Sequence, residues 1–445
     1  MRQLLAGMSP HSCVKKGARG YAREAPHIRE EYKLTMVPQS LSPTSRLSLL
    51  HHRPFALFWI ARVATTMAFH IQGVGVAWQI YELTGSAFFL GLVGLTQFLP
   101  ICFLTLVVGQ VVDRYDRRLI GLLCQLVEAL AAGALAYVSF SGMQSKESIL
   151  AIFLVAGTAR TFELPTMQAL VPGLVPAQDI PRAIAGSASA TRTATIVGPA
   201  LGGLLYVGGP TAAYGTASVL FLAASLFFAL IRIERPPLKR EPVTLQSLLA
   251  GFGYIRSHPL VLGAVSLDLF ATLLGGATAL LPIYARDLLG TGPWGLGLLR
   301  SAPAVGALAT SLALARYPLR HRVGKTMFGA IVAFGVATMV FAISRSFALS
   351  LGALSVLGSA DVVNVVIRSS LVQIETPDEM RGRVSAVNSL FIGTSNYLGE
   401  FESGLTATLF GVVPAVLIGG AGTIVVAVIW VRLFPALAQV DSLKS

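Results

Sequence analysis

The sequence predicts an all-α polytopic membrane protein of twelve transmembrane helices, arranged as two pseudo-symmetric six-helix bundles. Three observations carry this. Hydrophobic residues make up 54% of the 445, charged residues only 12%, and the mean hydropathy of +0.70 lies far outside the range of a water-soluble globular chain. Apolar runs of about 20 residues recur, each long enough at about 1.5 Å per residue to cross about 30 Å of hydrocarbon. Finally, a constant offset of 201 residues places Val155 on Val356, Gly157 on Gly358, Leu170 and Val171 on Leu371 and Val372, Gly198 on Gly399 and Gly203 on Gly404. It also superposes Pro176 on Pro377 and Arg182 on Arg383, the punctuation of equivalent connections. This is the pattern of a six-helix unit duplicated in parallel orientation about an axis along the membrane normal.

The elements follow in order. Residues 1–53 form an N-terminal tail without the apolar h-region of a signal peptide, so the first helix acts as an uncleaved insertion signal. Within it, residues 1–35 are expected to be disordered or to be an upstream mis-start, because Met36 opens a more ordinary lead. The first bundle, 54–232, holds spans at 55–80, 87–112, 118–140, 148–170, 182–206 and 211–232. A linker at 233–258, "IERPPLKREPVTLQSLLAGFGYIRSH", is marked by prolines and charges, with a short interfacial helix near 244–256. The second bundle, 259–434, holds spans at 260–285, 292–315, 325–343, 347–371, 383–409 and 411–434, and a tail runs from 435 to 445.

Charge placement orients the chain. Of the 34 Lys and Arg, Lys146, Arg286 and Arg345 fall in odd-numbered connections and Arg62, Arg160, Arg192, Arg300 and Arg368 within spans. The rest lie in the termini and even-numbered connections, so both termini are expected in the cytoplasm. The net charge of +13 is then mostly a topology signal, with attraction to anionic lipid headgroups, and outside the termini no basic patch with interleaved aromatics points to nucleic acid. Cys13, Cys102 and Cys124 suggest neither a disulfide framework nor a metal cluster. There is no G-x-S-x-G, no phosphate-binding glycine loop with Lys and no H-E-x-x-H, so neither enzyme chemistry nor a cofactor is expected.

Charges inside spans are costly, about 2.5–3.5 kcal/mol each at mid-bilayer unless paired or wet. They are Arg62, Glu128, Arg160, Glu163, Arg192, Asp268, Arg300, Asp361, Arg368, Glu400 and Glu402. Arg160 and Glu163 are spaced to pair on one helix face, and the repeat places Arg160 opposite Asp361 as a cross-cavity pair. Glu163, Asp268 and Asp361 are candidate proton carriers; static salt bridges are the competing reading. Arg62, Arg160, Glu163, Asp268, Asp361, Arg368 and Glu400 are the candidate substrate and proton sites, with His70 a weaker one. Gln72, Trp78, Gln79, Tyr284 and Asn364 suit a bulky amphipathic substrate, although Trp78 and Tyr284 equally suit interface anchors.

In "LGEFESG", residues 398–404, Glu400 and Glu402 lie about 200° apart on a helix and cannot share one site. Glu400 shares a stripe with Gly393, Asn396 and Ser403, facing a cavity or the other half; Glu402 is expected to reach headgroups or Arg300. In "GQVVDRYDRR", Gly109 to Arg118, Asp113 at a helix C-terminus opposes the helix dipole and needs a basic partner. Arg114, Arg117 and Arg118 are near enough to form a charge knot that locks one conformation, though simple positive-inside charges are the plainer alternative. In "GPALGG", Gly198 and Gly202 make a flat face for a neighbouring helix and Pro199 permits a bend; Gly203 and Gly399 belong to the same packing motif.

These segments resemble the major facilitator superfamily. "GQVVDRYDRR" is similar to its signature between the second and third helices, with Asp116 where Gly usually stands, and "GPALGG" to the fifth-helix motif of its exporters. "DLFATLLGGATALLPIYARDLLG", "RSSLVQIETPDEMRGRVSAVN" and "LGEFESG" resemble the bacterial branch of transmembrane secretion effectors that contains the enterobactin exporter. The resemblance covers about residues 50–434 and implies a bacterial inner-membrane transporter whose first, fourth, seventh and tenth helices line a central cavity. It implies a proton-coupled exporter of a small amphipathic molecule, siderophore or drug-like, working by alternating access as a monomer. Import or lipid movement on the same fold, and a non-transporting scaffold or sensor, are the competing readings.

Overall fold

The computed structural model describes residues 52–232 and 245–442, so the expectations for residues 1–35 and for the core of the linker fall outside the described residues. The first six helices are α1 (Arg53–Thr84), α2 (Ala87–Arg114), α3 (Arg117–Phe140), α4 (Lys146–Leu174), α5 (Ile180–Val207) and α6 (Pro210–Leu230). A short α7 (Leu245–Ser257) stands where the interfacial helix is expected, and α8 (Pro259–Leu274) follows it. The remaining long helices are α9 (Pro293–Arg316), α10 (Val323–Ile343), α11 (Phe347–Glu375), α12 (Asp378–Phe410) and α13 (Val412–Leu433). No strand occurs among the described residues.

Local chemistry sets the ends. Pro210, Pro259 and Pro293 open their helices, where the missing N–H costs nothing. Asp116 caps α3 by accepting from the Arg118 N–H at 2.9 Å, and Ser145 and Ser148 form a reciprocal capping box on α4. Gly85, at φ 59°, terminates α1 in the left-handed conformation that a side chain would resist.

Among the described residues, ten helices are long and apolar enough to cross a membrane, counting α8 with its continuation to Leu288 as one. The long helices outside that set are α5 and α12, which the repeat makes equivalent. Their lower hydropathy has a positional cause. α5 packs on α9 and α12 on α2, so both lie where the two halves meet and present Thr191, Thr195, Ser395 and Glu400 to the interior. Exposed Leu130, Val219 and Leu312 lie on the outer surface, the area that lipid would cover.

The span expected at 260–285 is not one helix. α8 stops at Gly275, and the chain continues through a 3₁₀ turn, Ala277–Leu280, and a π turn, Tyr284–Leu288. The break has two causes. Gly275 and Gly276 are poor helix formers, and Gly276 is pressed on α12 so closely that a Cβ would fall 2.6 Å from the Gly399 carbonyl carbon. Pro282 then removes a further backbone donor.

The repeat is visible in the packing. Gly157 of α4 lies against Gln97 of α2, and its equivalent Gly358 of α11 against Pro303 of α9. Gly198 of α5 rests on Met67 and His70 of α1, and Gly399 of α12 on Thr272 and Leu273 of α8. Within each half the same helices meet in the same order.

Candidate functional site

Between the halves lies a cavity of about 800 Å³. Its walls come from α1 (Phe69, His70, Gly73), α2 (Gln97, Val108, Gly109), α4 (Thr161, Pro165), α5 (Thr195, Pro199), α9 (Arg300), α11 (Leu357, Asp361) and α12 (Ala386, Gly393, Asn396, Tyr397, Glu400). The lining reaches Val108, Gly109 and Ala386, toward the arginine-rich face where α2 ends and α12 begins. At the opposite face it is stopped by contacts between halves. Gly203 meets Gly297 there, Gly91 meets Gly404, the Ser301 hydroxyl donates to the Ile196 carbonyl at 2.6 Å, and the Tyr81 hydroxyl donates to Asp287.

The candidate residues divide into three groups. In the first half Arg160 and Glu163 pair as their spacing predicts, and Arg160 also sits 4.3 Å from the Phe69 ring centroid. Arg62 donates to the Thr191 hydroxyl at 3.2 Å and lies within the electrostatic reach of Glu163. In the second half Asp268 and Arg368 pair at 3.3 Å, 5% and 2% exposed. Asn364 donates to Asp268 at 2.7 Å, and Arg368 donates to Asn388 at 2.7 Å. The second half therefore neutralises its buried charge between its first and fourth helices, α8 and α11, whereas the first half does so within its fourth helix, α4. The third group, Asp361, Arg300 and Glu400 with His70, lines the cavity itself.

Several expectations need correction. Arg160 and Asp361 form no ion pair among the described residues, because the closer Glu163 and Phe69 hold the Arg160 guanidinium. Glu402 is not the partner of Arg300; its carboxylate accepts from the Thr406 hydroxyl one turn on, at 2.6 Å, and the charge Arg300 faces is Glu400. Of the polar and aromatic residues expected at the substrate, Gln79, Tyr284 and Asn364 are internal fastenings. Gln79 accepts from the Tyr214 hydroxyl at 2.7 Å and donates to Ser139, Tyr284 donates to the Ala342 carbonyl at 3.1 Å, and Asn364 holds Asp268.

The motif residues are placed as follows. Arg117 donates to the carbonyls of Val112 and Ala169, and Arg118 to those of Phe228 and Ala229, so both hold helix C-termini and not Asp113. Asp113 makes no ion pair with a described basic residue in this conformation, in which Arg114 also lies exposed. In "GPALGG", Gly198 and Gly202 pack on α1, whereas Gly203 turns the other way onto α9 across the boundary, and Pro199 lines the cavity.

Sequence reasoning gave too little weight to Arg300 and Glu128. Arg300 has no acid three or four residues away on its own helix, which is the available signal that its charge must be met from elsewhere. Glu128 on α3 is 1% exposed, with Oε2 unpartnered beside the Arg160–Glu163 pair, and nothing in a single apolar stretch distinguishes such a carboxylate from one that faces water.

The comparisons agree with this architecture. A family model described as transmembrane secretion effector matches residues 44–445. An enterobactin exporter of Citrobacter koseri is 27% identical over 405 residues, covering 88% of this chain and 95% of that one. One from Shigella boydii serotype 4 is 27% identical over 390 residues, covering 86% and 92%. Among solved structures, the nucleoside transporter NupG superposes with a TM-score of 0.63 at 16% identity, covering 85% of this chain and 99% of that one. A bacterial homologue of the lysosomal transporter Spinster gives 0.64 at 13% identity, covering 89% and 97%. With a two-halved helical fold, a cavity at its centre and a family match across nearly its whole length, the chain is a membrane transporter and belongs to the transmembrane secretion effector family of the major facilitator superfamily.

Proposed function

We propose that this protein is a secondary active exporter that moves a small amphipathic organic molecule, siderophore or drug-like, in exchange for protons by alternating access. The observation that supports it most is the asymmetry of the cavity: stopped at one face by contacts between halves, it extends toward the arginine-rich face. By the positive-inside rule that face is cytoplasmic, so the cavity stands ready to load from inside a bacterial inner membrane, with both termini cytoplasmic. The names of the relatives, enterobactin exporters, favour the outward direction and the substrate size. A single chain holding both halves suffices as a monomer.

Asp361 is the proton carrier this geometry favours, since it lines the cavity while Asp268 and Glu163 are tied into buried pairs. The gate on the cytoplasmic face involves Arg114, Arg117 and Arg118, of which Arg117 and Arg118 exchange helix carbonyls for Asp113 when that face closes. The test is purified protein in liposomes with an entrapped pH-sensitive dye, assayed against a substrate panel found by efflux profiling of a deletion strain. Substrate-dependent proton movement opposite to substrate supports the reading; substrate movement without proton flux, or net uptake, overturns it.

A further inference from the structure

Three of the arginines inside the spans have protein partners. Arg160 has Glu163, Arg368 has Asp268 and Asn388, and Arg62 has Thr191. Arg300 is different. It is the guanidinium among the residues lining the cavity, and no hydrogen bond or ion pair engages it among the described residues. Its Nη1 reaches across the boundary to α1, where it lies 3.6 Å from the place a Cβ on Gly73 would occupy. Glu400 faces it from α12 and reaches across in the same way to α2, its Oε2 3.1 Å from the place of a Cβ on Gly94. The two opposite charges share the cavity without closing to the 4.0 Å of an ion pair.

From this we infer that Arg300 is the anchor for an acidic group on the transported molecule, and that the substrate class is an amphipathic organic anion. A guanidinium presents a planar fork of donors that matches a carboxylate or a comparable pair of anionic oxygens. In a cavity with mostly apolar walls the effective dielectric is lower than in bulk water, so a guanidinium without a protein partner gains more from such an anion than it would in free solution. Glu400 sets the second requirement. Its acceptor oxygens beside the anchor repel a second negative charge and accept from a hydroxyl or N–H adjoining the acidic group. Phe69, Phe334 and Leu357 supply the wall for an apolar body. Gly94 is small where a side chain would collide with Glu400, a Cβ there falling 2.7 Å from the Glu400 Cβ.

The inference rests on the transport reading for its purpose, yet binding tests it separately. Dansylglycine, an aryl-bearing carboxylate, and dansylglycinamide, its neutral counterpart, are titrated against purified full-length protein in detergent, read by dansyl fluorescence against detergent blanks. Wild-type protein is expected to bind the carboxylate about tenfold more tightly than the amide, the ordinary scale of one charge-assisted contact. Arg300→Met abolishes that preference while leaving amide affinity in place, and Arg300→Lys, which keeps the charge and guards against misfolding of the first variant, keeps part of it. Equal affinity of wild type for both probes, absence of saturable binding of either, or retention of the preference in Arg300→Met overturns the inference. Anion-selective binding in a protein that exports nothing would remove the transport reading alone, and export without anion preference would remove this one alone.

Discussion

Gly203 of α5 and Gly297 of α9 touch backbone to backbone where the two halves meet. A Cβ on Gly203 would stand 3.0 Å from the Gly297 Cα, and one on Gly297 3.1 Å from the Gly203 Cα. The repeat partner of Gly203 does the same: a Cβ on Gly404 would lie 2.6 Å from the Gly91 Cα. Closure of this face thus depends on two glycine contacts related by the duplication, and helices can approach so closely only where side chains are missing.

Gly203→Val should hold that face apart. Overpacking of this kind costs about 1–3 kcal/mol, enough to shift a two-state equilibrium by about 5- to 150-fold. In a background with the native cysteines replaced, Thr195→Cys in the cavity wall should then become more reactive to an impermeant thiol reagent added from the face opposite the arginines, with efflux reduced. Unchanged labelling would show that the face closes without this contact.

Asp268 and Asp361 should separate by phenotype. Removing one member of a buried pair strands the other charge, so Asp268→Asn, leaving Arg368 at 2% exposure, should destabilise the protein by about 3–5 kcal/mol. Combining it with Arg368→Gln should restore much of that loss. Asp361→Asn removes a carboxylate that lines the cavity outside any ion pair, so melting should shift little while proton-coupled flux is lost. Scanning fluorimetry with the liposome proton assay checks both, and equal melting losses in the two variants would contradict the division.

Arg118 ties α3 to the end of α6, donating to the Phe228 carbonyl at 3.1 Å and to that of Ala229. Lysine cannot reproduce the fork, so Arg118→Lys should recover little of what Arg118→Ala loses. Hydrogen bonds made by a charged group contribute about 1.5–3 kcal/mol, and faster amide exchange should appear in the last turn of α6 in both variants. Exchange unchanged from wild type would assign Arg118 to charge placement alone.

The C-terminal strap should release in acid. The Asp441 carboxyl accepts from the Arg322 N–H at 3.1 Å and faces His321 at 3.3 Å, while the Val440 and Asp441 carbonyls accept from Gly324 and Val323. The Arg322 N–H first, and then His321, hold the Asp441 acid below its ordinary value of 3.8. A lowered pKa means the strap is fully held above that ordinary value and is lost as pH falls below it through the folded value. Asp441→Asn should therefore lose at neutral pH the protection of the 322–324 amides, measured against the unprotected exchange rate at the same pH, that wild type loses only in strong acid. Matching profiles across the whole pH range would remove the carboxylate from the strap.

Much of the architecture is legible in the chain because hydrocarbon is a strict solvent. Apolar length, arginine placement and the offset joining Gly157 to Gly358 and Gly203 to Gly404 determine the helices, their alternation and the duplication. Pairing within one helix, as between Arg160 and Glu163, is equally local and equally legible. Partners on different helices are not. That Asp268 meets Arg368, that Glu400 and not Glu402 faces Arg300, that α8 breaks at Gly275, and that Arg117 and Arg118 hold carbonyls were decided by helix rotation and close approach. The reason is physical: solvent sorts residues by polarity one at a time, whereas the meeting of two side chains depends on angles and distances between helices, and only the packed structure sets those.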